Sequence, residues 1–105
     1  MKYITSTELK KKIDAGESVS VIDIRESYEL DICKIDAIHI PMGEVSERVN
    51  EISKEVPAVI LCRSGKRAIP VANLLSTEFG HTDVAILEGG ILAWIEEVDS
   101  QLEAY

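Results

Sequence analysis

The chain is poor in cysteine, with only Cys33 and Cys62 in 105 residues. Two thiols are too few for the disulfide framework that holds small secreted domains together. Cations are also scarce: 11 Lys and Arg stand against 19 Asp and Glu, for a net charge of −8. So acidic a surface argues against general binding to nucleic acid or to an anionic membrane. No apolar stretch approaches the roughly 20 residues that a spanning helix needs. The opening "MKYITSTELKKK" lacks the apolar core of a signal peptide. These absences lead to the expectation of a cytoplasmic protein with reduced thiols. There is no internal repeat, no low-complexity segment and no linker-like stretch, so residues 1–105 are expected to form one domain. Neither His39 nor His81 has companions that suggest metal binding or general-base work.

What is present is a regular alternation of strand and helix signals. "TSTE" puts Glu8 three residues after Thr5, a capping box, with Ile4 and Leu9 placed as its hydrophobic staple; the helix should stop at Gly16. "SVSVIDI" (18–24) alternates and is rich in Val and Ile, so it reads as a strand. "ESYELDI" reads as a short helix or turn, and "AIHIP" (37–41) as a short strand closed by Pro41. Between Glu44 and Lys54, Val45, Val49 and Ile52 fall on one helical face, which predicts a helix. "AVILC" (58–62) is a continuous apolar run, as in a strand covered on both faces. A helix is expected over 68–79 with Gly80 as its stop, a strand over 84–87, and a helix entered through two glycines over 89–98. The order implies an α/β domain with a mostly parallel sheet and helices on both faces. Reacting groups in such sheets gather beyond the carboxyl ends of the strands, which is where Cys62 falls.

The scarce positive charge is concentrated there. Arg63, Lys66 and Arg67 follow Cys62 within five residues, leaving 8 cations against the 19 acids elsewhere. A free thiol has a pKa of roughly 8.5, and three features of "CRSGKRA" would favour its thiolate. The helix that follows presents unpaired N–H groups and the positive end of its dipole. The three cations add positive potential. Gly65 permits a positive φ, so that successive N–H groups can turn inward and form an anion nest. The plain alternative, a Cys buried at a strand end beside a solvated charge patch, does not explain why the charge collects at this one point.

"CRSGKRA" followed by a helix resembles the active-site loop of single-domain rhodaneses, the sulfurtransferase family. "VIDIRE" (21–26) is similar to that family's strand ending in Asp-x-Arg, "IHIP" (38–41) to its second short strand, and "LEGGILAW" (87–94) to its turn into the last helix. "ITSTEL" and "GHTDVAILEGG" fit as well. The resemblance implies a rhodanese-like three-layer α/β/α fold on a mostly parallel sheet of about five strands. It also implies a six-residue loop, Cys62 to Arg67, whose N–H groups surround the sulfur. Cys62 would take a sulfane sulfur from a small anionic donor such as thiosulfate, hold it as a persulfide and yield it to cyanide or a thiol, with no metal or organic cofactor. Arg63, Ser64, Gly65, Lys66 and Arg67 would form the cradle, with Lys66 and Arg67 attracting the donor. A relay to a protein sulfur carrier, or a regulatory domain, is the alternative use of the same loop. Related phosphatases of the cell-cycle type place Arg after five intervening residues; here that position is Ala68, which argues against phosphatase or arsenate-reductase chemistry.

Other residues carry two readings. Asp23 and Arg25 could support the crevice, but a structural role is expected: an Asp at a strand end binds backbone N–H groups, and Arg25 pairs with a carboxylate. Glu88 is expected to brace the turn before Gly89 in the same way. Cys33 is read as a packing residue rather than a second redox thiol, because a disulfide needs Cα atoms within about 7 Å. Many rhodaneses carry Gly-His-Ile where this chain has Cys33 and Lys34, so whatever the Gly-His pair contributes to loop geometry must come from elsewhere.

Overall fold

The computed structural model describes residues 2–105. Five strands, β1 (Tyr3–Ile4), β2 (Ser20–Asp23), β3 (Ile38–His39), β4 (Ala58–Leu61) and β5 (Val84–Leu87), form one sheet in the order β1-β5-β4-β2-β3. All four pairings are parallel. Four α-helices connect them: α1 (Ser6–Asp14), α2 (Ser27–Ile32), α3 (Ala68–Thr77) and α4 (Gly90–Glu97). The central strands β4 and β5 are buried along their whole length, as their unbroken apolar sequences require.

The period of two along β4 divides the core. Ile60 and Cys62 join one cluster with Ile22, Val71 and Leu75, while Val59 and Leu61 join another with Leu9, Ile91 and Trp94. The sheet is thus covered on both faces. Helix α1 starts on the expected capping box: Thr5 Oγ1 accepts from the Glu8 N–H at 3.1 Å, and Glu8 Oε1 accepts from the Thr5 N–H at 3.0 Å. Gly16 follows its end with φ +74°.

Two elements differ from the sequence reading. Residues 44–54 do not form an α-helix. They form two 3₁₀ turns, Met42–Glu44 and Val49–Glu51. Val45 and Ile52 are buried all the same, so tertiary burial satisfied the apolar spacing without a continuous helix. Ser46, Asn50 and Ser53 are weak helix formers. Arg48 breaks the segment at φ −113°, ψ 16°, while its side chain binds Glu44, Glu51 and the His39 carbonyl. The second difference is β1, which has two residues and therefore shows no alternation. Its register, Tyr3 with Ile86 and Ile4 with Leu87, comes from the sheet edge it meets. Among the described residues, no helix is long and apolar enough to cross a membrane.

Candidate active site

Strand β4 delivers Cys62 to the carboxyl edge of the sheet, where the residue is 1% exposed. The chain then turns through residues 63–67 into α3. The orientation of this loop is set mainly by the opposite element. At the start of α4, the Ile91 N–H donates to the Cys62 carbonyl at 2.9 Å, and the Leu92 N–H to the Arg63 carbonyl at 3.2 Å. These N–H groups have no partner within their own helix. They fasten the loop's carbonyls to the start of α4. Gly90 makes the approach possible: it sits at φ +60°, and a Cβ there would run into the carbonyls of Cys62 and Arg63. On the other side of the loop, Gly65 adopts φ +100° and its N–H donates to Cys62 Sγ at 3.0 Å. The sulfur therefore meets a main-chain donor.

The cations are arranged unequally. Lys66 is exposed and makes no ion pair among the described residues. Arg67 turns to α2, where its two terminal nitrogens donate to the two Glu29 oxygens at 2.8 and 2.7 Å. Arg63 lies over the ring of Tyr105, its guanidinium carbon 4.9 Å from the centroid. Arg67, expected to draw in a donor, is thus already paired within the protein. Ser64 is exposed. Ala68 is fully buried as the first residue of α3, so the position that holds Arg in the phosphatase pattern is core here.

Asp23 and Arg25 lie behind the loop as a buried ion pair. Arg25 is 0% exposed, and its Nη2 donates to Asp23 Oδ2 at 2.8 Å. Asp23 Oδ1 also accepts from the Arg25 main-chain N–H and Nε, both at 3.0 Å. The remaining guanidinium N–H groups reach the carbonyls of Glu29 and Cys33 and the Tyr105 hydroxyl. Burial opposes the charge, but Asp23 and Tyr105 outweigh it and hold the guanidinium above its ordinary range.

Sequence reasoning missed two residues of this assembly, Glu29 and Tyr105. Glu29 is 2% exposed on α2. Beside Arg67 it also accepts from the Glu26 N–H at 2.8 Å and the Tyr105 hydroxyl at 2.7 Å. Arg67 pulls its carboxyl down to about 2 against the upward push of burial, and the Glu26 N–H and Tyr105 hydroxyl add to the pull. The one local signal was Glu29 standing three residues after Glu26, at the N3 position of a short helix. Tyr105 carried no signal at all.

The two cysteines are both free and belong to different core clusters, Cys62 to that of α3 and Cys33 to that of α1 and α4. Cys33 Sγ lies 3.9 Å from Arg25 Nη1. At Cys33 the backbone is extended, with φ −161°, and its carbonyl serves Arg25; that conformation requires no glycine. His39, in turn, places Nε2 2.7 Å from the Arg25 carbonyl. Glu88 does not brace its turn as expected: its side chain is exposed and makes no hydrogen bond among the described residues, while its N–H extends the β1–β5 ladder by donating to the Ile4 carbonyl at 2.8 Å.

Comparison with known proteins agrees with this geometry. Residues 5–97 match the model of the Rhodanese-like domain family. YtwF of Bacillus subtilis is 39% identical over 95 residues, covering 90% of each chain. A protein of Allochromatium vinosum named Sulfurtransferase is 37% identical over 92 residues, covering 87% of this chain and 85% of its own. The crystal structure of a rhodanese-like domain protein from Staphylococcus aureus superposes with a TM-score of 0.83 at 33% identity, over 100% of this chain and 99% of the other. In some other relatives the matching stretch is half or a quarter of a longer chain. On the family model and the relatives of this identity, the chain belongs to the rhodanese-like domain family.

Proposed function

We propose that this protein transfers sulfane sulfur through a persulfide on Cys62. The observation that carries the reading is the loop itself: a thiol at the sheet edge, a main-chain N–H at 3.0 Å from its sulfur, and neighbouring carbonyls drawn off by α4. In the first half-reaction the Cys62 thiolate attacks the outer sulfur of a donor such as thiosulfate. A new S–S bond forms, the donor's S–S bond breaks, and its electron pair leaves on sulfite. In the second, a thiolate or cyanide attacks the outer sulfur of the persulfide, leaves with it, and returns Cys62 as thiolate. Thiolate and persulfide are both anions, so one N–H environment serves both states. The name carried by the Allochromatium vinosum relative supports the reading. Phosphatase chemistry is disfavoured because Ala68 is buried and Arg67 is paired to Glu29.

Intact mass spectrometry after incubation with thiosulfate should show one added sulfur, removed by cyanide or a thiol. Cys62→Ser should abolish the gain, and Cys33→Ser should retain it. A gain that survives in Cys62→Ser would remove Cys62 from the reaction. No gain from thiosulfate or from any low-molecular-weight persulfide would end the sulfur-transfer reading.

A further inference from the structure

The segment after α4 returns to the carboxyl edge of the sheet, and Tyr105 ends up between three charged groups. Its hydroxyl donates to Glu29 Oε1 at 2.7 Å and accepts from Arg25 Nη1 at 3.0 Å. Its ring lies under Arg63 at 4.9 Å, with Arg25 5.9 Å from the centroid. Glu29 in turn grips Arg67 with both oxygens. One side chain therefore meets both ends of the loop: Arg63 directly, and Arg67 through one carboxylate. The ring is held in place independently of the loop, since Tyr105 and Leu102 also pack against the core cluster of α1 and α4.

From this geometry we propose that Tyr105 is a positioning residue at the Cys62 loop: its ring seats the guanidinium of Arg63, the residue that follows Cys62. An exposed arginine next to a reacting sulfur samples many rotamers, and its field at that sulfur is averaged over them. A ring face that holds the guanidinium removes much of this averaging at small cost, because the cation keeps its outer face in water. The consequence is selectivity for anionic reagents at Cys62. The proposal deepens the sulfur-transfer reading and rests on it for its kinetic arm only.

The test that needs no turnover compares the rates at which iodoacetate and iodoacetamide alkylate Cys62, read on the Cys62 peptide by mass. Both reagents form the same S–C bond and release iodide, and they differ in charge. The iodoacetate-to-iodoacetamide ratio should fall about three- to tenfold in Tyr105→Leu and by a similar factor in Arg63→Leu. The double variant should fall no further than either single one, because both remove the same seated charge. Tyr105→Phe, which keeps the ring, should stay within about twofold of the parent. A tyrosine that only stabilised the fold would change both rates together and leave their ratio alone. The proposal is overturned by an unchanged ratio in Tyr105→Leu, by effects that multiply in the double variant, or by a parent protein that shows no preference between the reagents. If thiosulfate turnover is found, Tyr105→Leu should raise KM several-fold with a smaller change in kcat. If neither thiosulfate nor any low-molecular-weight persulfide loads sulfur on Cys62 while the alkylation ratios behave as stated, the sulfur-transfer reading fails and the positioning role stands.

Discussion

Two neighbouring strands, β2 and β4, leave the same edge of the sheet and enter helices through loops that begin with an arginine-bearing turn, and Arg25 and Arg63 are used in opposite ways. After β2, Arg25 folds inward, is fully buried and uses its donors on Asp23, Glu29, Cys33 and Tyr105. After β4, the side chains of Arg63, Ser64 and Lys66 face outward, and the inward-facing donor is the Gly65 N–H. The first junction is an internal fastening and the second a presentation of charge. Burial separates them. A guanidinium inside must find a partner for each N–H, whereas one at the surface is solvated and remains available. The junctions meet at Glu29 and Arg67, so the fastening also anchors one end of the presenting loop.

The largest expected effect breaks the buried side of this contrast. Arg25→Met should cost about 3–5 kcal/mol, because it leaves Asp23 ionised and without its partner in the interior. Urea denaturation would measure it, and adding Asp23→Asn should recover part of the loss. A cost near that of a surface substitution would mean that the pair does not fasten the junction.

A smaller effect concerns the meeting point. The folded Glu29 carboxyl lies near 2, below its ordinary 4.5. Between those values the unfolded chain binds more protons, so the contribution is complete above about pH 4.5 and is lost as pH falls towards 2. It amounts to up to about 3 kcal/mol, reduced by the partial solvent exposure of Arg67. Chemical denaturation at several acidic pH values should show Glu29→Gln flattening the profile in that window. An unchanged profile would mean that the carboxylate contributes nothing there.

The smallest effect belongs to the presented charge. Lys66→Ala should raise KM for thiosulfate about two- to threefold at low salt and leave folding stability within about 0.5 kcal/mol. The difference from the parent should fade as ionic strength rises. A kcat loss that persisted in high salt would instead give Lys66 a part in the chemical step.

What the sequence disclosed follows from how far apart the interacting residues lie. Cys62, Gly65 and the helix after them are contiguous, so the Gly65 donor could be read from the loop, whereas the hold of α4 on its carbonyls could not. Asp23 and Arg25 are two residues apart at a strand end, so their pairing was also within reach. Glu29 is 38 residues from Arg67 and 76 from Tyr105, and no local pattern encodes such pairs. That is why Arg67 reads as a free cation in the sequence and is docked in the structure. The segment 44–54 fails for a different reason. Its apolar spacing fits an α-helix, but Val45 and Ile52 reach the core beside two separate 3₁₀ turns instead.

Gly90 carries a further consequence. By letting α4 come close enough to hold the carbonyls of Cys62 and Arg63, it leaves the loop's shape to the main chain and to a helix distant in sequence. The side chains at 63, 64 and 66 are then free of any duty to hold that shape. Under the proposed sulfur transfer they would act as an address label on a fixed reactive frame: rewriting them would change which donors and acceptors come to the sulfur without redesigning how the sulfur is held.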